Sequence, residues 1–115
     1  MTERSSPFPR ERRILRRRDF DRLMQTEPVL TGPVLVFAAR HAGPSRLGVI
    51  VPKRFGKAVL RNRARRRLRE AFRLGVPEGL PVEMVVLVRS QEVLRLAFGE
   101  LVELLRQAAE KAACG

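Results

Sequence analysis

Between Lys53 and Arg73 the chain reads KRFGKAVLRNRARRRLREAFR, ten basic residues with a single acid, Glu70. A stretch this charged can join a folded core only if a regular structure gathers its few apolar side chains on one side. An α-helix does so. At about 100° per residue, Leu60, Ala64, Leu68, Ala71 and, at the edge, Phe72 fall on one arc. Arg61, Arg65 and Arg69 then form a ridge at i, i+4 spacing. Asn62, Arg66 and Arg73 flank it, and Arg63 lies further round. Arg67 falls at the margin of the apolar arc, where a long side chain can keep its head in water. The pattern predicts a helix over 58–74, stopped by Gly75 and Pro77.

Like charges at i, i+4 repel by a few tenths of a kcal/mol per pair. Solvated helix faces normally mix signs, and this one carries almost none of the opposite sign, so the ridge calls for an anionic partner. The whole chain agrees, with 24 Lys and Arg against 12 Asp and Glu, net charge +12 and pI near 11.7. The excess is one-sided. Residues 1–73 hold 20 basic and 6 acidic groups; residues 74–115 hold 4 and 6. A membrane surface fits poorly, because the basic helix lacks a large exposed apolar face. No apolar run approaches the length of a membrane span. DNA is disfavoured too, since neither helix-turn-helix geometry nor dimerisation heptads accompany the helix. RNA, bound through shape, phosphates and unpaired bases, suits it better.

The remaining segments give the fold class. Residues 1–13 (MTERSSPFPRERR) are polar, interrupted by Pro7 and Pro9, and read as a flexible basic arm. Residues 14–112 form a single domain. A short amphipathic helix is expected over 14–25, with Phe20, Leu23 and Met24 on one face. A short strand is possible at Val29–Leu30. Strands are expected over 34–40 and 46–52, joined by the turn HAGPS into an antiparallel hairpin. A third long strand is expected over 82–89 and a last helix over 92–112, its apolar face Leu94, Phe98, Leu101, Leu105 and Ala108. That order makes an α+β sandwich, a mixed sheet of about four strands covered by helices.

The run Arg46 to Phe72, RLGVIVPKRFGKAVLRNRARRRLREAF, resembles the signature of the bacterial ribonuclease P protein family. Its core is Arg61-Asn62-Arg63 on a helix, preceded by a strand, the basic pair Lys53 and Arg54, and Gly56. Arg18-Asp19-Phe20 resembles the family's first-helix motif, and Val85 to Arg89 its last strand. The resemblance implies a left-handed βαβ crossover, against the usual right-handed rule. It also implies a protein that assists a catalytic RNA, with Mg²⁺ bound mainly by that RNA, in endonucleolytic removal of the 5′ leader from precursor tRNA. The chain is then a non-catalytic subunit, one copy per RNA, in the cytoplasm. RNA-binding residues carried over are Lys53, Arg54, Lys57, Arg61, Asn62, Arg63, Arg65, Arg66 and Arg69. Leader-binding residues are Phe20, Phe37 and Arg89. Relatives often carry an aromatic where this chain has Met24, Tyr where it has Phe37, and Lys where it has Ser90.

Aromatic faces at Phe20 and Phe37 could stack on bases without demanding a sequence; both residues could equally be core. A second reading is a ribosomal or other structural RNA-binding protein of similar fold. A third, an independent nuclease, lacks paired carboxylates or a nucleophile–base pair. His41 is a lone turn residue and reads as solvated. Asp19 and Asp21 do not face the same way on a helix, and Asp19 is expected to serve the helix N-terminus. Cys114, the only cysteine, has no partner for a disulfide or metal site.

Overall fold

The computed structural model describes residues 10–114; residues 1–9 of the expected arm lie outside them. The sheet is organised by its most apolar strand. Residues Val82–Val88 (β4) are buried at every position but Leu87. A strand covered on both faces belongs inside a sheet. With Leu30–Thr31 as β1, Val34–Arg40 as β2 and Arg46–Ile50 as β3, the order is β1-β2-β4-β3. β2 runs antiparallel to β4, from Val34 opposite Val88 to Arg40 opposite Val82. β3 runs parallel to it, from Arg46 opposite Glu83 to Ile50 opposite Leu87.

The expected hairpin between the second and third strands does not form, because β4 lies between them. The turn at 41–45 instead bonds to the segment leading into β4. His41 N donates to Pro81 O at 3.0 Å and Ser45 N to Glu78 O at 2.9 Å. A hairpin would have put the most apolar strand at an edge. The parallel β3–β4 pair needs a long crossover, and helix α2, Ala58–Gly75, supplies it.

α2 covers one sheet face together with α3, Phe98–Cys114. Ala64, Leu68, Ala71 and Phe72 of α2 and Leu101, Leu105 and Ala108 of α3 are buried there over Val34, Val36, Val82, Met84, Val86 and Val88. Among the described residues the other face carries α1, Arg17–Met24, whose Leu23 packs with Ile14, Phe37 and Val85. The helical phase expected for α2 therefore holds. Gly75, expected to cap it, has a different task. A Cβ there would lie 2.8 Å from the Val102 carbonyl oxygen, so this glycine lets α3 approach.

The helix expected over 92–112 is broken. Gln91–Leu94 form a 3₁₀ turn opened by Ser90, whose Oγ accepts the Glu92 N–H at 3.1 Å. α3 starts afresh at Phe98, with the Glu100 carboxylate accepting the Ala97 N–H at 3.3 Å. Arg67 holds the break together. It donates to Val93 O at 2.8 Å and to Leu96 O, and its guanidinium lies 5.8 Å over the Phe98 ring. Its head is thus fastened to protein rather than left in water.

The first helix starts three residues later than expected, because 10–14 are tied to the β3 edge. Residues 10–13, expected in the arm, are thus fastened to the domain. Arg10–Arg12 form a 3₁₀ turn, Arg13 bridges Leu47, and Ile14 N donates to Leu47 O at 2.9 Å. Arg12 is only 5% exposed. It donates to Ser45 O, Ser45 Oγ and Val76 O, and lies 5.4 Å over the Phe72 ring. Burial pushes its pKa below the usual arginine value, with Glu78 working the other way.

Candidate nucleic-acid interface

The basic segment divides into residues that present charge and residues that spend it. Lys53, Arg54, Lys57, Asn62, Arg63 and Arg66 are exposed. They lie on a 3₁₀ turn, Lys53–Phe55, and the outer face of α2. Gly56, between turn and helix, has φ 151° and leads the chain into α2. Its carbonyl accepts Arg61 Nη1 at 2.7 Å. Arg61 is therefore half-buried and braces the turn with one arm of its fork. Arg65 donates to Asn62 Oδ1 at 3.1 Å. Arg69 is half-buried, and its pKa is lowered by burial first and then by the Arg13 and Arg65 guanidiniums. The ridge of Arg61, Arg65 and Arg69 is real, and its members are more embedded than a free surface row.

Glu70, the only acid of this segment, does not neutralise that ridge. It is hydrogen-bonded by Arg73, which holds its carboxyl below the usual range. Glu70 and Arg73 cancel each other, and the face from Lys53 to Arg69 remains single-signed.

The expected leader-binding residues lie in two settings, Phe20 and Phe37 in an apolar cluster and Arg89 in the lining of a hollow. Phe20 and Phe37 meet in the small cluster beneath α1. Phe37 is 7% exposed, so it offers little face to a base. Phe20 is half-buried, and its ring lies directly on β3. A Cβ at Gly48 would come within 2.5 Å of the Phe20 ring, so the aromatic fits there only because residue 48 has no side chain. Leu35, Ile50 and Leu87 on the same face stay half-exposed, since the eight residues of α1 do not cover it. Arg89 is elsewhere. With Arg54, Pro52, Phe55, Val88 and Gln91 it lines a hollow of about 220 Å³ at the start of the basic segment.

Sequence reasoning missed the polar network that fastens α1. Glu83 of β4 is 2% exposed and accepts from Arg22 at 2.8 Å and from Arg46 at 2.8 and 3.1 Å. Burial pushes this carboxyl up, and the two arginines more than offset it, leaving its pKa below the ordinary value. Asp19 joins by bonding Arg22 at 3.2 Å and approaching Arg46 at 3.7 Å. It serves this network rather than the helix N-terminus alone. His41, expected in solvent, is half-buried with Nδ1 3.7 Å from Glu83. One signal existed: a lone acid in an otherwise apolar strand demands cationic partners.

Known proteins resemble this chain in sequence and in fold. The profile of the Ribonuclease P family matches residues 8–113. The ribonuclease P protein component of Dictyoglomus turgidum is 36% identical over 109 residues, covering 91% of this chain and 92% of that protein. That of Roseiflexus sp. is 46% identical over 69 residues, 59% of this chain and 57% of its own length. Among solved structures, the RNase P protein from Thermotoga maritima superposes with a TM-score of 0.68 at 32% identity, covering 85% of this chain and 96% of that one.

Proposed function

Because the chain belongs to the ribonuclease P protein family, we propose that it binds that enzyme's catalytic RNA through α2 and helps it remove the 5′ leader of precursor tRNA. The observation that carries this reading is the single-signed face from Lys53 to Arg69. Five exposed cations and a half-buried arginine ridge lie there with no free acid among them. Phosphates supply the missing charge, and their counterions are released on binding. The family assignment displaces the reading as a ribosomal protein.

The chain itself contributes positioning. Among the described residues no group of three or more His, Cys, Asp or Glu is placed to hold a metal ion. Mg²⁺ requires oxygen ligands, and a face of guanidinium groups does not suit it. We propose that Mg²⁺ is bound mainly by the RNA. Among the described residues no helix is long and apolar enough to cross a membrane.

The leader reading rests on the half-open sheet face beside Phe20. Phe20→Ala should weaken binding of precursor tRNA to the protein–RNA complex by about 1–3 kcal/mol, the worth of one stacked base, and leave mature tRNA unaffected. Phe37→Ala should instead destabilise the fold by about 3 kcal/mol or more, as a core truncation. Equal loss for both tRNAs on Phe20→Ala would remove the leader from this face. The subunit role is tested by cleavage of precursor tRNA with and without the transcribed RNA subunit and Mg²⁺. Cleavage at the mature 5′ end by RNA-free protein would overturn it.

A further inference from the structure

A second concentration of arginine lies off α2. Where residues 10–18 pass the outer edge of β3 they enclose an open cleft of about 620 Å³. Its cations are Arg10, Arg13, Arg16, Arg18 and Arg46, and its acids are Glu11 and Asp19. Asp19 is already engaged by Arg22 and Arg46 and leaves the cleft cationic. Among the described residues the side chains of Arg16 and Arg18 are exposed and make no hydrogen bond or salt bridge.

The backbone here is fixed, which separates the cleft from a loose basic tail. Arg13 bridges Leu47 and Ile14 bonds to it. The buried Arg12 fastens the preceding turn to Ser45 and Val76. Arginines on both sides of these anchors are held at set spacing, so the ordering cost of gripping a charged strand is already met in the fold.

The cleft also joins the α2 ridge. Arg69, at the end of that ridge, senses the charge of Arg13, which lines the cleft. A run of cations therefore passes from Arg61 through Arg65 and Arg69 to Arg13 and into the cleft. Leu15, 52% exposed, adds an apolar patch to the lining against which a ribose or base can rest.

The geometry points to a second RNA-backbone site: the cleft between residues 10–18 and the start of β3 binds phosphates of the RNA strand gripped by the α2 ridge. The strand is thereby led around the β3 edge. This inference rests on the RNA-binding reading of α2. An open trough lined along its length by guanidinium forks suits a passing backbone better than a compact ion, because each fork can hold a different phosphate.

The test uses the full chain carrying Arg16→Ala and Arg18→Ala together. The probes are the transcribed ribonuclease P RNA, a short RNA duplex of mixed sequence, and sodium tripolyphosphate. Removing two phosphate-binding guanidiniums should flatten the log–log salt slope of RNA binding by roughly 1.5. The melting temperature should stay unchanged, since neither side chain is bonded to the protein. Adding Arg65→Ala should flatten the slope further, by a similar share per arginine. An unchanged slope on both RNAs overturns the inference. So does protection of the wild type, but not the variant, by tripolyphosphate while RNA slopes stay the same, because the cleft would then be a compact-anion pocket. A flattened slope on the duplex, with no binding of ribonuclease P RNA by the wild type, supports the cleft and sinks the proposed function instead.

Discussion

α2 and α3 lie over the same sheet face and are 18 and 17 residues long, yet they treat their charges in opposite ways. On α3, Arg106 sits between Glu103 and Glu110, bonding the first at 3.0 Å and the second at 2.7 Å. Gln107 also donates to Glu103 at 3.1 Å. The arginine of α3 thus finds acids one turn away on either side. On α2, Arg61, Arg65 and Arg69 repeat at the same spacing without an acid, and Glu70 is taken by Arg73. A helix that closes its charges locally is finished as a surface. One that stacks like charges carries a cost that only another molecule's anions remove.

Three substitutions can break or sharpen that contrast. The largest effect is expected at Arg67, the one arginine of α2 that faces α3's lead-in. Arg67→Ala leaves Val93 O and Leu96 O without their donor and should cost about 2–3 kcal/mol of stability. The salt slope of RNA binding should not change. Thermal melts and a salt titration separate the two. If the slope flattens while the melt holds, Arg67 belongs to the RNA face and the division between α2's inner and outer arginines is wrong.

Next comes Arg65→Ala. It should weaken binding of the catalytic RNA several-fold and flatten the salt slope by roughly 0.7–0.9. Stability should be unchanged, or raised by a few tenths of a kcal/mol through relief of repulsion. A large fall in melting temperature with an unchanged slope would make the ridge structural.

The smallest effect is expected at Arg106→Ala on α3. Its ion pairs are partly exposed, and such pairs contribute little. RNA affinity should not move. The measurement is the same titration beside the Arg65 variant. A flattened slope here would place RNA on the acidic half of the molecule and remove the contrast altogether.

Local periodicity made part of this structure legible. The phase of α2, the strand at 34–40 and the core face of the last helix follow from spacing alone, because each is decided within the segment. Strand order is not local. It required comparing β4, apolar on both faces, with its neighbours and recognising that it belongs in the middle. Arginine was the least readable residue type. Arg12 and Arg67 look solvated in sequence, and their receptors, Ser45 and Val76 for one and Val93 and Leu96 for the other, lie far along the chain. Of the candidate site, the exposed cations of α2 were legible from charge and phase. That Phe37 is buried while Phe20 rests on Gly48 was not, since it depends on how far a short helix covers a sheet.

The central place of β4 also sets when this chain can fold. β2 and β3 are complete by residue 50, but neither can pair with its main partner until residues 82–88 exist. During synthesis both therefore wait with open edges, the state most prone to wrong association. Every pairing of β4 closes a long loop, which slows folding relative to a chain of hairpins. In the meantime α2, already emerged, carries its cationic face without the sheet that will lie beneath it.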